Sequence, residues 1–78
     1  MAQLISGSQG KEVRQLQDLL NGVLDERPAL KVDGVFGPKT LARVIVFQKQ
    51  AKLAPDGVVG PKTNKALVAT VLSANARR

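Results

Sequence analysis

Acid–base chemistry in this 78-residue chain would fall to carboxylates and lysines, because histidine, cysteine and tyrosine are all absent. The acids are Glu12, Asp18, Asp25, Glu26, Asp33 and Asp56. Only Asp33 and Asp56 recur in a pattern, and each is followed by glycine, which suits a tight turn better than proton transfer. We therefore expect no enzymatic activity. A metal site has little to draw on. Thiolate and imidazole ligands are missing, and a calcium loop needs acidic or amide ligands at alternating positions where valine and phenylalanine stand. Gly-Pro-Lys-Thr, at 37–40 and 60–63, superficially resembles a phosphate-binding loop. In that motif lysine directly follows the last glycine, after a four-residue gap and a strand. Here proline intervenes and the gap is two residues. No metal and no cofactor are expected.

The same residues belong to an internal repeat. Residues 33–40 read Asp-Gly-Val-Phe-Gly-Pro-Lys-Thr and residues 56–63 read Asp-Gly-Val-Val-Gly-Pro-Lys-Thr, 23 residues apart and differing only at Phe36 and Val59. One supersecondary unit used twice is the direct reading. Gly34 and Gly57 allow a positive φ after each aspartate. The carboxylates of Asp33 and Asp56 can accept from backbone N–H groups two or three residues on. Phe36 or Val59 anchors the loop in the core, and Gly37 or Gly60 leads into a helix begun by proline. Thr40 and Thr63 fall in the first turn, where a hydroxyl can serve a free backbone group. Lys39 and Lys62 share that turn with unpaired N–H donors and the positive end of the helix dipole, a surface that favours carboxylates. A second echo links Val13-Arg14-Gln15-Leu16-Gln17 to Val44-Ile45-Val46-Phe47-Gln48, which marks Gln48 as a structural hydrogen-bonder like Gln17.

Three helices must position these residues. Val13, Leu16, Leu20 and Val23 or Leu24 form one apolar stripe from about Gly10 to Leu24, with Asn21-Gly22 as a possible stop. The second helix opens at Pro38, where a missing N–H is harmless, and carries Leu41, Val44, Ile45, Phe47 and Ala51 to about Lys52. The third opens at Pro61, carries Leu67, Val68, Val71 and Leu72, and frays after Ser73. Asp25-Glu26-Arg27-Pro28 reads as an exposed loop. The short extended pieces Leu30-Lys31-Val32 and Leu53-Ala54-Pro55 could pair. The expected fold is mainly α, a compact three-helix bundle with repeated Asp-Gly loop-to-helix connectors. It forms a single domain over residues 1–78, with its core at about 4–72 and a frayed tail at 73–78.

Composition sets the remaining bounds. A chain this short buries only about 60–65% of its unfolded surface, so stability rests on aliphatic packing, and 44% apolar residues supply it. Phe36 and Phe47, the only aromatics, are expected in the core. Twelve Lys and Arg against six Asp and Glu give a net charge of +6, which suits an anionic partner such as DNA, an acidic wall polymer or a membrane surface. No apolar stretch approaches the ~20 residues of a transmembrane helix, so no membrane insertion is expected. Met1-Ala2-Gln3-Leu4-Ile5 lacks the basic start and apolar run of a signal peptide. As written the chain would be cytoplasmic when made, reaching a periplasm or wall only by delivery or as part of a larger protein.

Taken in order, Gly7-Ser8-x-Gly10-x-x-Val13-x-x-Leu16-Gln17, Asp33-Gly34-x-Phe36-Gly37-x-x-Thr40, Phe47-Gln48, Leu53, Asp56-Gly57-x-Val59-Gly60-x-x-Thr63 and Ala66-Leu67 resemble the peptidoglycan-binding domain 1 family, over about residues 4–72. The resemblance implies a three-helix fold and noncatalytic binding of bacterial cell-wall peptidoglycan, without a cofactor. It also implies a role in targeting an associated cell-wall hydrolase or similar enzyme. It points to a crevice near the repeated loops, hence to Lys39, Thr40, Arg43, Lys62, Thr63 and Asn64. Departures from the family pattern are Asn64 where an aromatic is common, Arg43 where a small residue is common, and Lys52 where glycine often precedes Leu53. Without Trp or Tyr, sugar stacking has no platform. Recognition of stem-peptide carboxylates by Lys39, Arg43, Lys52 and Lys62 is the expectation, in a monomer. The alternatives are a protein-interaction module of a secretion or phage-derived assembly, and, less favoured, a nucleic-acid-binding three-helix domain presenting Arg43, Gln48 and Gln50.

Overall fold

Each apolar stripe becomes one helix: α1 spans Lys11–Val23, α2 spans Pro38–Gln50 and α3 spans Pro61–Ala76. This computed structural model describes residues 3–24 and 28–76, and the side chains only as far as Leu72. Helix α1 is central, and both α2 and α3 pack on it. Its strong amphipathicity explains this role. Val13, Leu16 and Leu20, with Leu24 just beyond its end, bury one full stripe. Val44 and Phe47 of α2 and Leu67 of α3 meet that stripe, and the connectors add Leu30, Phe36 and Val59. Each such side chain contributes about 1.5–3 kcal/mol through burial. Phe36 and Phe47 are both core residues, as expected.

Helix α1 runs past the possible stop at Asn21-Gly22 to Val23, within the stripe expected to reach about Leu24. The Asn21 side chain, instead of ending the helix, bonds Leu30 twice: Nδ2 donates to the Leu30 carbonyl at 2.9 Å, and the Leu30 N–H donates to Oδ1 at 2.8 Å. Helix α2 ends at Gln50. Helix α3 continues to Ala76, past Ser73; its last residues include two alanines, the best helix formers. Among the described side chains of α3, Leu67 is the one buried apolar residue, while Val68 and Leu72 are 43% and 63% exposed. They follow Asn64 at i, i+4 spacing; Asn64 lines a small cavity with Glu12, Gln15, Leu16 and Leu19 of α1. Asp25, Glu26 and Arg27 of the expected loop lie outside the described residues; Pro28 is exposed.

The segments 30–32 and 53–55 do not pair with each other. The extended contacts come instead from the N-terminal segment, which runs across both repeats. Leu4 exchanges two backbone hydrogen bonds with Val59, at 3.1 and 2.9 Å. Further on, the Gly7 N–H donates to the Phe36 carbonyl, Phe36 to Ser8, and Gly10 to Gly34, all at 2.9–3.0 Å. These are isolated antiparallel bridges, Leu4 with Val59 and Gln9 with Val35. A single strap thus holds the two connectors side by side.

Candidate functional site

A buried glutamine organises each octet. The Gln17 Nε2 donates to the Asp33 Oδ1 at 3.0 Å, the Val35 carbonyl at 3.0 Å and the Thr40 Oγ1 at 3.1 Å, while its Oε1 accepts from the Gly34 N–H at 2.9 Å. Gln48 makes the same four bonds one repeat later. Its Nε2 reaches the Asp56 Oδ1 at 3.1 Å, the Val58 carbonyl at 3.0 Å and the Thr63 Oγ1 at 3.2 Å, and the Gly57 N–H donates to its Oε1 at 3.0 Å. An amide nitrogen has two hydrogens, so three acceptors must share them. Both glutamines are 1% exposed. Burial in low dielectric strengthens such networks only when every member is satisfied. Among the described residues, no buried side-chain polar atom lacks a partner.

The aspartates close their own turns as well. The Val35 N–H donates to the Asp33 Oδ1 at 3.0 Å and the Val58 N–H to the Asp56 Oδ1 at 2.9 Å. The Val35 N–H and the Gln17 amide together hold the Asp33 carboxyl below its ordinary range, against a smaller opposing effect of desolvation. Gly34 and Gly57 take φ of +77° and +75°. At Gly57 a Cβ would also press on the Leu41 Cδ1, a side-chain end that can shift, so the positive φ is what demands glycine there. Gly37 and Gly60 are outside the left-handed region, and a Cβ at Gly37 would meet nothing within 4 Å. The backbone therefore demands the first glycine of each octet but not the second.

This frame settles where the expected site residues stand. Thr40 and Thr63 are buried, and their hydroxyls accept from the glutamine amides and not from backbone N–H groups as expected. Their role is inside the frame. Lys39 and Lys62 are exposed at equivalent positions, but they face two different crevices. Lys39 lines a crevice of about 360 Å³ with Leu30, Lys31, Asp33, Val35 and Pro38. Lys62 lines one of about 520 Å³ with Lys52, Leu53, Asp56, Val58 and Pro61. Lys52 and Lys62 are thus brought together, and Lys39 is not part of that group.

Arg43 turns elsewhere. Its Nη2 donates to the Pro28 carbonyl at 2.7 Å, tying α2 to the preceding loop. Asn64 is half-buried and borders a more apolar crevice of about 560 Å³ along α3, with Val59, Pro61, Lys65, Val68 and Leu72. That crevice has few polar groups to orient a ligand. The lysine-bordered crevice beside the second octet combines apolar walls with convergent charge, the usual composition of a ligand site. Lys31 and Gln3 were not among the expected residues. Gln3 borders the second crevice because the strap carries it there, a contact no local sequence signal marks. Among the described residues, no group of three or more potential metal ligands lies together, and no helix is long and apolar enough to cross a membrane.

The sequence pattern of the peptidoglycan binding domain family matches residues 9–67. No curated protein sequence matches the chain significantly. Similar solved structures include a fused Zn-dependent amidase, peptidase and peptidoglycan-binding domain-containing protein from Clostridium acetobutylicum, at 36% identity and a TM-score of 0.78, over 85% of this chain and 28% of that one. A peptidoglycan-binding protein from Clostridioides difficile, in complex with glutamine hydroxamate, is 33% identical with a TM-score of 0.75, over 92% of this chain and 44% of its own. The N-terminal domain of SleB is 39% identical with a TM-score of 0.75, over 88% and 93%. The chain spans less than half the length of the first two proteins and nearly all of the third.

Proposed function

Because the chain belongs to the peptidoglycan-binding domain family, we propose that it binds bacterial peptidoglycan through carboxylates of the stem peptides, without cleaving the polymer. The observation that carries this reading is the crevice beside the second octet. Lys52 and Lys62 border it with Leu53, Val58 and Pro61, and Asp56 is its one acidic neighbour. Two ammonium groups over apolar walls attract a carboxylate on a short aliphatic peptide. They give a sugar ring no aromatic face, since the chain has no Trp or Tyr. Lys39 and Lys31 border the smaller crevice of the first octet and add to the positive surface. Arg43 and Asn64 lie apart from both lysine pairs and serve, if at all, at the edge of a longer polymer.

Such a module acts by raising local concentration. A related domain occurs in a protein fused to a Zn-dependent amidase and peptidase, and tethering an enzyme to its polymer raises its effective concentration there. Delivery of a cell-wall enzyme to the wall is the role proposed for this chain.

Sedimentation with purified sacculi tests the reading. The wild type is expected in the pellet at about 50 mM salt, where the Debye length exceeds 10 Å. Lys62→Glu is expected to weaken retention by roughly fivefold or more, since it places like charge against the ligand. A wild type that remains in the supernatant would sink the proposal.

A further inference from the structure

Helix α2 ends in a way that asks for glycine and receives lysine. The Leu53 N–H donates to the Gln48 carbonyl at 2.8 Å and the Lys52 N–H to the Lys49 carbonyl at 3.2 Å. With Ala51 as C-cap, this is the Schellman arrangement, whose left-handed residue is usually glycine. Here that residue is Lys52, with φ of +60°, the only non-glycine residue at positive φ among the described residues. A side chain in this region is strained, and unlike Asn or Asp a lysine has no short polar group to relieve it. The left-handed turn itself would be better served by glycine, and the helix end gains only the weak attraction of an exposed cation to its dipole. Lys52 is exposed, and the other turns at positive φ among the described residues use Gly7, Gly10, Gly34 and Gly57. The repeat does not require it either, since the position 23 residues earlier is Ala29. What distinguishes Lys52 is its place in the lining of the second crevice, with Lys62, Leu53 and Val58. Strain held at a ligand-facing position is a mark of a residue kept for its side chain.

We infer that Lys52 is the specificity-determining residue of that crevice, pairing with Lys62 to clamp the terminal carboxylate of a peptide. This rests on the reading of the crevice as the wall-binding site. Lys52 is exposed and lines that crevice together with Lys62. Asp56 has one oxygen engaged by Gln48 and the Val58 N–H, so two cations face one partly satisfied carboxylate and a free anion is favoured. The ligand class is therefore a peptide with an ionised C-terminus, and amidation of that terminus removes the contact.

Two variants separate binding from stability. Lys52→Gly relieves the strain, and its Tm is expected to rise by about 4–8 °C. Lys52→Ala keeps the strain and is expected to melt near the wild type. Both are expected to lose roughly three- to fivefold in affinity for an N-acetylated Lys-D-Ala-D-Ala peptide in an NMR titration, within the range of one exposed charge contact. The C-terminal amide of the same peptide, which loses the contact with both lysines, is expected to bind the wild type more weakly than the free acid binds the variants. Equal affinity of wild type and variants for the free acid overturns the inference, as does equal wild-type affinity for acid and amide. A wild type that fails to sediment with sacculi overturns this inference and the proposed function together; a wild type that sediments while both variants keep full affinity overturns this inference alone.

Discussion

Gln17 and Gln48 each satisfy a backbone N–H, a backbone carbonyl, a carboxylate and a hydroxyl from a single amide. Removing that amide strands several buried groups at once, and an unsatisfied buried donor or acceptor costs about 1–3 kcal/mol. Gln48→Met keeps the length and apolar stem but leaves the Gly57 N–H and Thr63 hydroxyl without their partner. Its Tm is expected to fall by more than about 10 °C in thermal denaturation followed by circular dichroism. Gln50→Met, exposed on the same helix, is expected to change stability by less than about 0.5 kcal/mol. Similar melting curves for the two variants would show that the amide frame is dispensable. The echo between Val13–Gln17 and Val44–Gln48 was enough to mark both glutamines as structural. It did not reveal their partners, because Gln17 reaches its octet across 16 residues and Gln48 across 8. For the same reason the threonines read as first-turn caps, when their hydroxyls are in fact spent on the glutamines.

At the level of elements, the two octets are loops that would have little to hold them together on their own. The N-terminal strap joins them through Leu4 on the second octet and Gly7 to Gly10 on the first. Leu4 also packs against the core. Leu4→Pro removes the N–H that bonds the Val59 carbonyl and shortens the apolar side chain, for an expected loss of about 2 kcal/mol. Hydrogen exchange reports this locally: protection of the Val59 N–H is expected to drop more than that of Val44 in the middle of α2. Equal loss at both amides would mean the strap stabilises the whole fold without fastening the second octet. Sequence periodicity located all three helices, and Pro38 and Pro61 start their helices as expected. It could not find the strap, since a short segment from Leu4 to Gly10 with single bridges carries no alternation to read. The Asn21 contact with Leu30 escaped notice because it is a side chain replacing a strand partner across a loop.

For the molecule as a whole, an excess of six positive charges acts on any anionic polymer before particular contacts form. The proposed contact is between exposed lysines and carboxylates, so it is open to screening. Retention on sacculi is expected to fall by roughly tenfold between about 50 and 500 mM salt, as the Debye length drops well below 10 Å. The Tm should move little over the same range, because the core is apolar and the frames are held by direct hydrogen bonds to buried glutamine amides. Salt-independent retention would point to apolar contact, and the groove of Val68 and Leu72 along α3 would then be the surface to examine.

The sequence alone indicated that three helices form, that the two octets share one geometry, and that histidine, cysteine and tyrosine are absent. Those properties depend on local periodicity, on residue type and on a repeat visible by inspection. Only the tertiary structure decided which lysines share a crevice. The packing of α2 and α3 around α1 sends Lys39 to one side and Lys62 to the other, turns Arg43 back to Pro28, and buries Thr40 and Thr63. It also put Lys52 at φ +60° beside Lys62. A backbone angle at a helix end depends on how the chain must leave that helix to reach the next connector, and residue type alone does not state it.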